Sequence, residues 1–247
     1  MPELIILGSA HAIPDENHEN THMVLVGEQR RVLIDCSGSP IVRLQKAGIA
    51  PNSLTDLVLT HFHPDHVSGV PSLLMSMWLL GRRTSLNVYG LAHTLDRFEQ
   101  MMGFYDWESW PNFFSVNFHR IPVERNAPIL LCDEFEILAS PVCHLIPTIG
   151  IRVETRAGSV LAYSCDTEPC PEVVELANGA NILIHEASGA FPGHTSAAQA
   201  GRAAARAEVD SLYLIHYNPQ DANLIAEAKK EFPGSVTLAE DFMHIQF

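Results

Sequence analysis

Short apolar runs separated by turn residues fill the first third of the chain. Leu4–Leu7, Met23–Val26 and Val32–Ile34 read as strands, and Ile41–Ala47 as a helix stopped by Gly48. Leu57–Thr60 is a predicted strand, followed by a polar motif and a helix through Leu80 that ends at Gly81. Leu86–Tyr89 reads as a strand, Ala92 to Met102 as a helix, and Tyr105–Phe114 as an aromatic, irregular segment. In the second half, strands are predicted at Phe118–Ile121, Ile129–Leu131, Phe135–Ala139, Gly150–Glu154 and Val160–Tyr163. Helix Pro171–Ala177, strand Ile182–Ile184, helix Ser196–Ala207, strand Leu212–Ile215 and helix Ala222–Phe232 follow, and short strands near Val236–Leu238 and Met243–Ile245 close the chain. Strands early in each half, helices later, and no linker or low-complexity break predict one α/β domain over residues 1–247. Two sheets packed inside flanking helices would bury all of these faces.

Composition narrows the class. With 247 residues, 47% hydrophobic and 18% charged, the chain is long enough for a sizeable core and is not disordered. A formal charge of −14 repels polyphosphate unless a local basic face offsets it. There is no Lys/Arg cluster; Arg82-Arg83 and Lys229-Lys230 are isolated pairs, expected to be solvated. The five cysteines form no regular framework, which argues for reduced thiols and a cytoplasmic protein. Cys165 and Cys170 are near enough in sequence to bind metal or cross-link, but with no second close pair they are expected to be buried thiols. The N-terminal residues lack a basic n-region. The apolar helix around Val70–Leu80 is far short of the roughly 20 residues that a bilayer needs.

The chemistry concentrates in His61-Phe62-His63-Pro64-Asp65-His66, directly after an apolar strand. Imidazole and carboxylate suit zinc, and manganese or iron accept the same donors. His61 and His63, two apart on an extended segment, face the same way and can grip one ion. Asp65 and His66 lie on a turn and can reach a second ion. Two ions about 3.5–4 Å apart clamp the attacking and leaving oxygens of a hydrolysis and lower the pKa of a shared water to about 7. More polar residues stand at the ends of predicted strands: His144, Asp166, His185-Glu186 and His216. Such groups are costly at a buried strand end unless paired or metal-bound. His194 precedes the Ala-rich helix that Thr195 or Ser196 caps, where a phosphate or carboxylate can bind. A capping turn with an exposed His reads equally well.

These motifs resemble the metallo-β-lactamase superfamily, and within it the ribonuclease Z branch. The resemblance runs nearly full length. It takes in Leu7-Gly8-Ser9, Leu33-Ile34-Asp35-Cys36, the H-x-H-x-D-H motif and His144, then Tyr163-Ser164-Cys165-Asp166-Thr167, His185-Glu186-Ala187, Gly193-His194-Thr195-Ser196 and His216-Tyr217. It implies an αββα four-layer sandwich with two divalent ions, zinc first, at one edge. His61, His63 and His144 would hold one ion; Asp65, His66 and His216 the other; Asp166 would bridge. Glu186 would orient His194, which would meet the scissile phosphate or protonate the leaving group. In ribonuclease Z a long tRNA-gripping arm lies between the third-motif His and the bridging Asp. Only twenty-one residues separate His144 from Asp166, enough for a hairpin and no arm.

The expected activity is phosphodiester hydrolysis of a small nucleotide, a cyclic nucleotide or an RNA end, with tRNA disfavoured. Two alternatives remain at this stage. One is a hydrolase of a carboxylic ester, lactone, thioester or sulfate; the other is a metal-binding protein without catalysis. The aromatic segment Phe104–Phe114 reads as a lid over substrate, a packed cover over the core, or a homodimer patch. The last two are favoured because aromatics in irregular segments are usually buried.

Overall fold

Most predicted strands carry apolar side chains on both faces, so both faces must be covered. The computed structural model, which describes residues 2–247, meets this demand with two seven-stranded sheets face to face and helices outside each. The first sheet holds β1 (Glu3–Gly8), β2 (His22–Val26), β3 (Arg31–Ile34), β4 (Asp56–Val58), β5 (Leu86–Leu91) and β6 (Val116–Ile121). The second holds β7 (Ala127–Leu131), β8 (Phe135–Val142), β9 (Thr148–Thr155), β10 (Val160–Tyr163), β11 (Ile182–Ala187), β12 (Ser211–Tyr217) and β13 (Ser235–Leu238). The last strand, β14 (His244–Gln246), returns to the first sheet beside β1, so the chain ends tie the halves together.

Alternation along each strand divides the core into three layers. Leu4, Ile6, Val32 and Ile34 meet Ile137, Ile151, Val153 and Ile184 between the sheets. Ile5, Leu7 and Leu33 face outward onto α1 (Pro40–Lys46), α3 (Val70–Leu79) and α4 (Ala92–Gly103). Leu183, Leu212 and Leu214 face α6 (Ala197–Arg206) and α7 (Leu224–Lys229). This is the αββα sandwich. Among the described residues, no helix is long and apolar enough to cross a membrane.

The topology gathers one edge. β3, β4 and β5 run parallel, as do β10, β11 and β12. β8 and β10 are both antiparallel to β9 and therefore point the same way. The loops after β3, β4, β8, β10, β11 and β12 carry most of the polar residues singled out in the sequence. A hydrogen bond from the Ile149 N–H to the Thr60 carbonyl, 3.2 Å, links the two sheets at this edge.

Several expectations change. The strand before the metal motif stops at Val58 instead of Thr60, so Thr60 is free to turn its side chain under the site. The helix expected to run through Leu80 is two pieces, α2 (Pro64–Val67) and α3, because Gly69 packs against the Ser37 and Cys36 backbone. The helix expected at Ala222–Phe232 keeps only its centre, α7. Arg82 is not solvated. It is 3% exposed, donates to the carbonyls of Asn52, Thr84 and Ser85, and lies over the Phe114 ring.

The aromatic segment is not a lid over the metal motif. It leads into the start of β6, at the end of the sheet opposite the motif, which follows the end of β4. Trp107, Trp110 and Phe113 cover the outer core of the first sheet, and Trp110 stacks on Trp78. Phe104 and Tyr105 remain exposed.

Candidate metal centre

Backbone strain aims the first residues. Asp35, Cys165 and His216 take left-handed φ values of 58°, 54° and 50° at the ends of β3, β10 and β12. Each costs about 1–2 kcal/mol in a non-glycine residue. Asp35 and His216 are turned into the edge by this bend, and Cys165 turns the chain just before Asp166.

Seven side chains converge there. His61 Nε2 and His144 Nε2 each lie 3.1 Å from His63 Nδ1. Two nitrogens bound to one tetrahedral zinc at about 2.0–2.1 Å would lie about 3.3 Å apart. Beside this trio, His216 Nε2 is 3.3 Å from Asp65 Oδ2, and His66 Nε2 is 3.6 Å from the same oxygen. Asp166 stands between the groups. Its Oδ1 is 3.5 Å from His66 Nε2, and its Oδ2 is 3.5 Å from His216, 3.9 Å from His61 and 4.0 Å from His144.

The surrounding hydrogen bonds fix which nitrogen of each ring faces inward. His144 Nδ1 donates to the Gly193 carbonyl at 2.6 Å, so its Nε2 presents a lone pair. His66 Nδ1 donates to Asp35 Oδ2 at 2.8 Å. Thr60 Oγ1 donates to Asp35 at 2.7 Å and so accepts from His61 Nδ1 at 3.1 Å. Ser188 Oγ donates to the His216 carbonyl and accepts from His216 Nδ1, both at 2.7 Å. Four imidazoles are thus held with Nε2 lone pairs inward, the orientation that metal-ligating histidines receive from such partners. Gly193 is required here: its φ is +83°, and a Cβ would meet His144 Nδ1 at 3.0 Å.

The donor set fits divalent ions. His66 Nε2 and Asp166 Oδ1 are buried with no hydrogen-bond partner, a state that costs about 1–3 kcal/mol for each group unless something else satisfies it. Burial holds the pKa values of His61, His63 and His144 below the usual imidazole value, so these rings are neutral and free to ligate. Burial works against protonation of His66, but the Asp166 and Asp35 carboxylates outweigh it and raise its pKa. Burial likewise opposes ionisation of Asp65, yet the His216 hydrogen bond and the His66 charge bring it down to about 2.

His194 and Glu186 form a separate pair. His194 Nδ1 donates to Glu186 Oε1 at 3.0 Å, and the buried carboxylate also accepts the N–H groups of Thr167 and Ser188. The His194 ring stacks parallel to His216, with 5.7 Å between centroids. A ligand atom of His194 also lies within 4.8 Å of those of His144 and Asp166, so proximity alone does not decide its role. A cleft of about 130 Å³ opens onto the centre, lined by His63, Asp65, His194, His216, His11 and Phe191 among others.

Sequence reading left three contributors without a role: Asp35, Ser188 and His11. Asp35 ends an apolar strand, the signal used for the other strand-end residues. His11 gives no such signal. It reaches the cleft because its N–H bonds the Tyr217 carbonyl across the edge at 3.0 Å. His18 and His22 stay outside the cluster; His18 bonds Asp15, and buried His22 bonds the Asn20 carbonyl. His185 faces the helix layer, with Nδ1 on the Glu186 carbonyl.

Residues 30–217 match the sequence-family model described as a β-lactamase superfamily domain. The chain belongs to the metallo-β-lactamase superfamily. Ribonuclease Z of Methanothermobacter thermautotrophicus is 26% identical over 305 aligned positions, covering 100% of this chain and 97% of the relative. Among solved structures, the metallo-β-lactamase fold protein YhfI of Bacillus subtilis superposes with a TM-score of 0.85 at 20% identity, covering 99% of this chain and 98% of its own. Human tRNase Z, short form, gives 0.81 at 24% identity, with coverage of 99% and 98%. Divalent-metal binding follows from membership in this fold and agrees with the donor set.

Asp35 yields a direct test. Asp35→Asn keeps a side chain that tolerates the left-handed backbone but weakens the hold on His66 and Thr60. Zinc affinity, measured by competition with a chromophoric chelator, should fall about 10–100-fold. Unchanged affinity would mean that Asp35 does not set the His66 ligand geometry.

Proposed function

We propose that this metal-dependent hydrolase of the metallo-β-lactamase fold is a phosphodiesterase acting on a small nucleotide, a cyclic nucleotide or a short RNA end. His61, His63 and His144 would hold one divalent ion; Asp65, His66 and His216 a second; Asp166 would bridge. The ions, zinc first and manganese or iron next, would supply positive charge and lower the pKa of water. Asp65, facing the cleft, accepts a hydrogen bond from the attacking water and aligns it. The attacking water loses one proton to solvent as its oxygen bonds to phosphorus and the bond to the leaving oxygen breaks; His194 gives the leaving oxygen a proton and regains one from solvent.

The observation that carries this reading is the Glu186–His194 pair on the wall of the cleft. Ester or lactone hydrolysis at the same centre does not require it. Burial lowers the His194 pKa, but the Glu186 hydrogen bond and charge outweigh this and raise it, keeping the acid form to higher pH. Glu186→Gln should therefore move the alkaline limb of the rate to lower pH.

His194→Ala should lower turnover of a cyclic nucleotide about 10²–10⁴-fold while leaving metal content intact. On bis-p-nitrophenyl phosphate, whose leaving group needs little protonation, the loss should be smaller. Loss of metal, or equal loss on both substrates, would contradict the general-acid role. Faster hydrolysis of p-nitrophenyl acetate or a lactone panel than of any diester would contradict the substrate class.

Poor tRNA processing is part of the same proposal. The residues between His144 and Asp166 go into β9, its turn and β10, which stay within the sheet. Against 305 aligned positions in the relative, the 247 residues here leave at least 58 positions without a counterpart. With a charge of −14, little attracts a large polyanion. Precursor tRNA at physiological salt should give no site-specific product on a gel. Efficient cleavage at one site would show that another surface grips it.

A further inference from the structure

Cys165 and Cys170 are both buried thiols, as expected, and they face different neighbours. Cys165 turns under the metal centre, with Sγ 3.6 Å from His61 Nδ1. Cys170 meets Cys143 instead: their sulfurs and a Glu172 carboxylate oxygen all lie within 4.8 Å of one another. Cys143 is exposed in the loop after β8, and Cys170 is buried just before α5 (Pro171–Leu176). Arg125 engages the Glu172 carboxylate at 3.0 Å, and Cys170 Sγ also lies 3.6 Å from Thr167 Oγ1.

We propose that Cys143 and Cys170 are an oxidisable thiol pair that closes an intramolecular disulfide across the back of the metal centre. The exposed sulfur is the entry point. Cys143 attacks a low-molecular-weight disulfide, forms a mixed disulfide and releases one small thiol. Cys170 then attacks the Cys143 sulfur and releases the second, so two protein thiols become one disulfide as one small disulfide becomes two thiols.

The position gives the bond a consequence. The Cys143 carbonyl accepts the Glu168 N–H at 2.6 Å, and Glu168 Oε1 accepts the Gly193 N–H at 2.7 Å. The Gly193 carbonyl holds His144 Nδ1. A disulfide would lock this ring of contacts, which joins the His144 loop to the turn bearing His194. It would also close a loop of twenty-six intervening residues and so restrict the unfolded chain. Exchange runs through the thiolate, so a mildly alkaline reaction favours it.

The test uses the metal-loaded full chain with oxidised glutathione at pH 8. Free thiols counted after denaturation should fall from the five in the sequence to three, reversibly with dithiothreitol. Combined trypsin and Asp-N digestion should link Asp133–Arg152, which holds Cys143, to Asp166–Arg202, which holds Cys170. The oxidised form should melt about 5–10 °C higher. Cys143→Ser and Cys170→Ala should each abolish the link and the shift while retaining the fold by circular dichroism. Five free thiols after oxidation, a link between other cysteines, a disulfide between two chains, or loss of two thiols in Cys143→Ser would overturn the proposal.

Discussion

Imidazole nitrogens brought nitrogen to nitrogen in a buried site need a proton or a cation between them. The rest of the edge is arranged around that demand. His61, His63 and His144 meet nitrogen to nitrogen at 3.1 Å, and His66 Nε2 faces Asp166 Oδ1 with neither hydrogen-bonded. The sandwich holds them there by force of its core. Strand ends fixed by three apolar layers carry side chains that would otherwise separate into water. In this account the stability of the sheets is converted into a site already shaped for its ions, and little reorganisation remains for binding.

A ring of supporting bonds makes the arrangement specific. Asp35, Thr60, Ser188 and the Gly193 carbonyl each engage an Nδ1 directly or through a hydroxyl, so each supported ring can turn only its Nε2 inward. The same ring connects the centre to its periphery. Gly193 links His144 to Glu168 and, one residue on, to His194. Chemistry at the cleft and the thiol pair behind it therefore share a few backbone contacts.

Much of this was legible in the sequence because it is local. The strands read from their apolar runs, and the H-x-H-x-D-H spacing exposes its own chemistry. Polar residues at strand ends mark His144, Asp166, Glu186 and His216 as unusual before any fold is known. What was not legible depends on contacts distant in sequence. Arg82 is buried because Asn52 and Phe114 reach it from other segments. Cys170 lies beside Cys143, across twenty-six intervening residues of the chain, while the left-handed turn at Cys165 sends that thiol toward His61. The break between α2 and α3 reflects the loop after β3, against which Gly69 packs. The aromatic segment gave composition without position; only the parallel order of β4, β5 and β6 places it away from the centre.

The central claim is that these seven side chains form one dinuclear centre. Elemental analysis of protein purified without chelator and saturated with zinc, counted per chain, tests it most directly. The account predicts close to two ions per chain, falling toward one in Asp65→Ala. A clean single ion in the wild-type protein at saturating zinc would contradict it.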